Sequence, residues 1–420
     1  MIETIELLPG ITLRCFRDSR FKQNGLTFQI IRPLDHREAA MNALIPAVLL
    51  RGCKTAPDLR AITLRLDDLY GASIGALARK VGDYQTTGLS CGFISDRYTL
   101  GNDALLAPMV EFLRELLLEP VLENGVFSHD FVESEKKNLI STIDSQLNNK
   151  RAYAVAQMTQ LMCREDPYGV PRLGRSEDVS KIESATLYHH YQKILRESRM
   201  DLFYVGDRAA QDVADILLPI FRDIPRNYQP LMPQSPFRRC PEQEETETLE
   251  VSQGKLVLGF TTPLTLRTTG FYAMQVLNTV LGAGMTSKLF MTVREKMSLC
   301  YDISSGYTGS KGILMVSSGI DFDKDTLVKE QVFAQIKACC DGDISDEELT
   351  AAKEALCTSL RSTHDSPSSI ESYYATGALS GSMEDPDSYM ANVCAVTKED
   401  VMAAAKTLAL HTVYFLKGVS

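Results

Sequence analysis

Six histidines, His36, His129, His189, His190, His364 and His411, bound any metal site the chain could build. None stands three or four residues from another, so no helix face presents the paired ligands of an H-x-x-E-H or E-x-x-H motif. His189 and His190 are neighbours whose helical side chains diverge by about 100°. They read as surface or partly buried residues. Ten cysteines are scattered, with one adjacent pair, Cys339 and Cys340, and no C-x-x-C. That pattern suits reduced thiols better than a disulfide framework or a zinc knuckle. No G-x-S-x-G elbow marks a nucleophile.

Two patterns keep some chemical interest. Gly282-Ala-Gly284 separates the helical run 271–281 from a second at 286–296. Such glycines serve either a plain helix–helix turn or a close approach of backbone to backbone or to a peptide ligand. A phosphate loop needs a longer glycine pattern after a strand, which is missing. Immediately downstream, Arg294 falls near the end of the second run and Tyr301 at the start of a strand. A guanidinium fork and a phenol OH could converge on a peptide carbonyl or a terminal carboxylate.

The elements that must position these residues occur twice. Asp201-Leu-Phe-Tyr-Val-Gly-Asp207 and Thr412-Val-Tyr-Phe-Leu-Lys-Gly418 are both buried strands, each preceded by a helix with a hydroxyl cap candidate at its start, Ser184 and Thr397. Leu89-Ser-Cys-Gly-Phe-Ile94 matches Val316-Ser-Ser-Gly-Ile-Asp321, and the helix at 135–143 matches that at 352–360. Between the halves, Pro225, Pro230, Pro233, Pro236 and Pro241 run into an acidic stretch, 242–250, which predicts a linker over 225–249 without helix or sheet. The chain is thus expected to be an α+β protein of two homologous halves, 1–224 and 250–420. Each half is a mostly antiparallel sheet with helices packed on one face.

Composition limits the partners. The 420 residues carry 44 basic and 54 acidic side chains, a net charge of −10, with no basic run interleaved with aromatics. Nucleic acid is therefore not an expected partner. At 44% hydrophobic and 23% charged residues the chain suits a folded globular protein rather than a membrane one. The N-terminal Met-Ile-Glu-Thr-Ile-Glu lacks a basic and apolar leader, so a cytoplasmic location is expected.

Taken together, Leu281-Gly-Ala-Gly-Met-Thr-Ser-Lys-Leu-Phe290 and Val293-Arg-Glu-Lys-Met-Ser-Leu-Cys-Tyr301 resemble the second-half signature of the pitrilysin/insulinase and mitochondrial-processing-peptidase family of zinc peptidases, the inverzincins. Gln253-Gly-Lys-Leu-Val-Leu-Gly-Phe260, Asp166-Pro-Tyr-Gly-Val-Pro-Arg-Leu-Gly174, Met200 to Asp207 and the hairpin from Gly10 to Ile31 extend the likeness over nearly the whole chain. Peptidases of this family carry H-x-x-E-H on the first helix, two histidines and a later Glu holding zinc while the motif Glu activates water. Aligned on Leu49-Leu-Arg-Gly52, the corresponding residues here are Ala43-Leu-Ile-Pro-Ala47. Ala43 and Ala47 stand for the histidines, Pro46 for the base, and Thr142 lies near the third ligand. A helix beginning near Ala43 would hold Pro46 in its first turn.

The resemblance implies a chain that is not a peptidase on its own, in the group of inactive, YmfF-like subunits. It implies no cofactor in this chain, zinc in a homologous partner, and a heterodimer that acts on peptides. Arg294 and Tyr301 would bind substrate, with Gly282 and Gly284 shaping the adjacent loop. A homodimer is open where that partner is absent. The rival expectation is a scaffold without a role in proteolysis, like the core proteins of respiratory assemblies, and the Arg294–Tyr301 pair favours the first. An enzyme using cysteine or histidine elsewhere has no motif behind it.

Overall fold

A computed structural model of the chain describes residues 2–101, 103–222 and 224–418. The first half runs β1 (Ile2–Leu8), β2 (Ile11–Arg17), β3 (Gln23–Pro33), α1 (Ala39–Leu49), α2 (Leu59–Asp68), β4 (Ser73–Val81), β5 (Tyr84–Ile94) and α3 (Leu106–Leu118). It continues with a small hairpin, β6 (Leu122–Glu123) and β7 (Val126–Phe127), then α4 (His129–Ser145), α5 (Lys150–Met162), α6 (Ser176–Ser180), α7 (Ser184–Glu197), β8 (Arg199–Gly206) and α8 (Ala210–Arg222). The second half holds β9 (Gln243–Leu249), β10 (Gly254–Thr261), α9 (Phe271–Leu281), a π-helical segment (Leu289–Lys296), β11 (Cys300–Thr308) and β12 (Ile313–Ile320). It ends with α10 (Asp325–Asp341), α11 (Asp346–Arg361), α12 (Pro367–Ser380), α13 (Pro386–Ala395), α14 (Lys398–Ala405) and β13 (Ala409–Gly418).

The two large sheets repeat one topology. The first has the order β1-β2-β8-β3-β5-β4 and the second β9-β13-β10-β12-β11. In both, the closing strand (β8, β13) runs antiparallel to the central strand (β3, β10) and parallel to its outer neighbour (β2, β9). The α+β duplication is therefore a property of strand order and direction, with β1 as an addition to the first sheet.

Alternation buries one side of each strand against helices. Leu26, Phe28, Leu202 and Tyr204 of the first sheet share a core with Leu44, Val48, Leu113, Leu187 and Leu217. Leu256, Leu258, Val316 and Val413 of the second do so with Leu277, Val280, Val332 and Val401. A single helix covers the opposite face of each sheet. Ala154, Met158 and Met162, four residues apart along α5, pack on Val257, Tyr414 and Leu416. Ile370 and Tyr374 of α12 pack on Phe16, Phe203 and Val205, and Glu371 of the same helix binds Arg79 through two 2.8 Å bonds.

Each of these covering helices comes from the other half of the sequence. The chain packs as one unit of Met1–Asp144, Val170–Pro233 and His364–Leu379, and another of Ser145–Gly169, Gln234–Thr363 and Ser380–Ser420. The sequence expectation placed each half's elements on its own sheet. Neither repeat signal nor linker composition reveals the exchange, because α5 and α12 present ordinary amphipathic patterns.

Three local expectations are corrected. Residues 243–249, assigned to a linker for their acidity, form β9, since pairing with β13 needs only backbone groups and its exposed carboxylates remain in water. Pro46 lies inside α1, not in its first turn, because the helix starts at Ala39; the missing N–H leaves the Asn42 carbonyl without its usual partner four residues on. Ser184 is the first residue of α7 rather than its cap, and its hydroxyl makes no capping bond. Thr397 does cap α14, in a reciprocal box with Asp400, and Ser345 with Glu348 does the same for α11. Among the described residues no helix is long and apolar enough to cross a membrane.

Candidate functional site

The second unit builds its site from the C-terminal end of α9. The glycine loop turns the chain beneath β11: Ser305 N–H donates to Gly282 O at 3.0 Å, and Ser305 Oγ donates to Asn278 O and Oδ1 at 3.0 and 2.8 Å. A Cβ on Gly282 would stand 2.7 Å from Ser305 Oγ and 2.8 Å from Ser305 N, so close approach of two backbones fixes this glycine. Gly284 has open space where a Cβ would go. Only the first of the two glycines is thus demanded by packing.

From Lys288 the chain winds as a π-helix, with Met297 N–H bonded to Thr292 O five residues back. Leu289 and Val293 are buried, and Lys288 reaches Glu348 at the start of α11 at 2.9 Å. Ser298, at φ 51°, reverses the chain into β11. This anchoring leaves the outer face of the π-helix to Arg294. Its guanidinium lies 4.5 Å from the centroid of the Phe290 ring, Nε donates to Tyr301 O at 2.9 Å, and Nη1 meets Glu295 at 2.8 Å.

Tyr301 occupies a bulge. Cys300 pairs with Ile320 and Asp302 with Gly319, which leaves Tyr301 as the extra residue on the sheet's edge strand. The residue is 58% exposed, and its hydroxyl donates to Asp321 Oδ1 at 2.9 Å. That bond, with the carboxylate's charge, raises the phenol above its ordinary value, while Lys324 and then the Tyr301 bond hold Asp321 below the usual carboxylate range. At neutral pH the phenol therefore remains a donor. The arrangement offers a fork and a hydroxyl whose present acceptors, Glu295 and Asp321, lie at the surface and could be exchanged for a ligand's oxygens.

Arg294 thus lies beside Tyr301, whose carbonyl it binds, while Gly282 packs against Ser305 and Leu289. Phe290, Asp321 and Asn278 were not singled out in the sequence. Phe290 could have been, since it lies four residues before Arg294 on a helix. Asp321 needs the strand register.

The first unit holds the positions that the family resemblance aligns with zinc ligands. Ala43 is buried and Ala47 half-buried on α1, and neither has a donor atom; Pro46 can supply no base. Thr142, exposed on α4, bonds back to Asn138 O at 2.8 Å. Beside Ala43, Asn42 turns inward, donating to Gln85 Oε1 at 2.9 Å and bonding His190 Nε2 at 2.7 Å. Burial pushes His190 down to about 4, against the opposing pull of Glu38. Its imidazole is accordingly a neutral partner within the core. These residues do not fit a zinc ion, and among the described residues no three His, Cys, Asp or Glu side chains are grouped to hold one.

Residues 181–356 match the peptidase M16 inactive domain. Over 409 residues, 97% of this chain and 96% of the relative, the sequence is 31% identical to a probable inactive metalloprotease, YmfF, of Bacillus subtilis. The fold superposes on a conserved protein from Enterococcus faecalis with a TM-score of 0.91 at 26% identity, covering 100% of this chain and 99% of the other. It also superposes on a peptidase M16 inactive domain from Pseudomonas fluorescens, with a TM-score of 0.81, 18% identity and coverage of 100% and 98%.

Proposed function

The chain belongs to the M16 peptidase family, among its inactive members, and we propose that it is the non-catalytic, substrate-binding subunit of a heterodimeric zinc peptidase acting on peptides or small unfolded proteins in the cytoplasm. The partner is a homologous subunit that carries the zinc ligands and the base. In this chain the N-terminal half serves as framework and the C-terminal half carries the substrate contacts. Arg294 and Tyr301 receive carbonyl or carboxylate oxygens of an extended peptide, and Gly282 holds the loop that sets their spacing.

One observation carries this reading. Tyr301 is exposed and Arg294 keeps its guanidinium at the surface on a well-anchored bulge and π-helix, while the positions that the family resemblance aligns with a zinc motif hold alanine and proline. Packing alone does not require a fork and a phenol at that place. π-Helical turns and edge bulges commonly accompany functional sites, where they re-aim side chains.

The test is assembly. Purified alone, the chain is expected to hold no stoichiometric zinc after dialysis and to leave a quenched peptide intact. Mixed with a zinc-bearing homologue, it is expected to co-elute as a heterodimer that cleaves the peptide. One zinc per isolated chain would refute the non-catalytic assignment. A heterodimer no more active than the zinc-bearing subunit alone would leave a scaffold in its place.

A further inference from the structure

In the first unit, α8 lies across β1, β2 and α3, and Phe221 stacks on Phe28 of β3 with ring centroids 6.0 Å apart. The repeat gives that place a counterpart. Strands β2, β8, β3 and β5 correspond to β9, β13, β10 and β12, and α3, which follows β5, corresponds to α10, which follows β12. Among the described residues no helix of the second unit lies over β9 as α8 lies over β2. An open groove of about 320 Å³ lies there instead, between β9 and α10.

The ladders align the two places residue by residue, given the match of Leu89 with Val316. Phe28 faces Leu202 and Leu89, and Leu258 faces Val413 and Val316. It follows that Leu13, opposite Leu202, corresponds to Glu244, opposite Val413; Cys15, opposite Tyr204, corresponds to Thr246, opposite Phe415. Leu13 and Cys15 are buried, whereas Glu244 and Thr246 are exposed. The groove keeps an apolar floor of Leu256, Val413 and Phe415 and an apolar wall in Phe333, which is 39% exposed. Its rim is acidic. Glu244, Glu245, Asp325 and Glu330 line it against one cation, Lys329, which lies 3.6 Å from Glu244.

A copy of α8 would set apolar side chains on Glu244 and leave that carboxylate desolvated, so the occupant must differ from α8 on this side. Edge carboxylates also discourage strand pairing. That role does not account for an exposed phenylalanine facing an apolar floor. We infer that the groove docks a cationic amphipathic helix of a partner protein, its apolar stripe on Phe333 and Phe415 and its Lys or Arg side chains facing Glu244 and Glu330. The helix-in-groove mode needs such an apolar stripe, and the acidic rim selects the charge beside it. This inference is independent of the peptide-binding role of Arg294 and Tyr301.

The test uses the full chain and a fluorescein-labelled Lys/Leu peptide of 13 residues, with leucines at the spacing of Val213, Leu217, Ile220 and Phe221 in α8. Fluorescence anisotropy is expected to show saturable binding, weakened at least about tenfold by Phe333→Ser or Glu330→Lys. A Glu/Leu peptide of the same pattern, and a Lys/Leu peptide with the stripe scrambled, are each expected to bind at least about tenfold more weakly. Both substituted residues are exposed, and unchanged melting curves would certify the fold. Should Phe333→Ser alter the melt, Glu330→Lys decides. Absence of saturation, equal binding by wild type and the Glu330→Lys chain, or equal binding of the Glu/Leu peptide would overturn the inference.

Discussion

Helices α1 and α9 hold the same place in the repeat, each following the central strand of its sheet, yet α1 and the segment that follows α9 use their polar residues in opposite ways. In α1 the polar content is spent inside. Asn42 is consumed by Gln85 and His190, and Gln85 in turn donates to Ala39 O and Arg172 O. In the segment after α9, the buried side chains Leu289 and Val293 hold the framework, and Arg294 and Tyr301 project to the surface. A helix whose polar groups satisfy one another contributes stability. Polar groups left at a surface, held in fixed positions by buried neighbours, are available to a ligand.

The sharpest way to break this contrast is Asn42→Ala, which strands His190 Nε2 and Gln85 Oε1 in the core. A loss of about 3 kcal/mol is expected from two unpaired buried groups. Denaturant titration measures it. A loss below about 0.5 kcal/mol, the range of ordinary surface substitutions, would mean that α1's polar residues do not hold the core.

Acid should act on the same cluster. His190 has a folded value near 4, below its ordinary 6.5, so the folded state keeps it neutral while the unfolded chain binds the proton. Its contribution is fully present above pH 6.5 and is lost as pH falls toward 4, at no more than about 1.4 kcal/mol per pH unit. Stability measured across this window is expected to fall less steeply for His190→Gln than for wild type. Identical slopes would contradict the buried neutral imidazole.

Within the glycine loop the expected effects divide. Gly282→Ala forces a Cβ against Ser305 and should cost about 1–3 kcal/mol through local overpacking. Gly284→Ala, with open space around it, should cost no more than about 0.5 kcal/mol. Equal melting shifts for the two would contradict the close packing of Gly282 against β11.

The sequence carried much of this architecture. Matched strands and helices exposed the duplication, since alternation and helical period survive in each copy. The positions of Arg294 and Tyr301 followed from helix and strand limits. What stayed hidden was long-range. The exchange of α5 and α12 depends on which sheet face a helix meets, and Phe333 over an acidic rim becomes visible only through strand register. β9 was concealed for another reason: an edge strand with one solvated face can be as polar as a linker. Pro46 was misplaced because helix starts are poorly marked when, as with Glu38, the preceding side chain makes no capping bond.

Arg294→Ala and Tyr301→Phe are expected to alter stability little, by about 0.5 kcal/mol or less, because Tyr301 is exposed and the half-buried Arg294 keeps its guanidinium at the surface. Their effect on function is the direct test of the central claim. In the assembled heterodimer, each substitution is expected to lower kcat/KM for a quenched peptide by about one to two decades, the loss of about 1.5–3 kcal/mol typical of a charge-assisted or donor contact. Assembly by size exclusion and the partner's zinc content should stay unchanged. Wild-type kcat/KM for both variants in an intact heterodimer would contradict the account and remove the substrate-binding role.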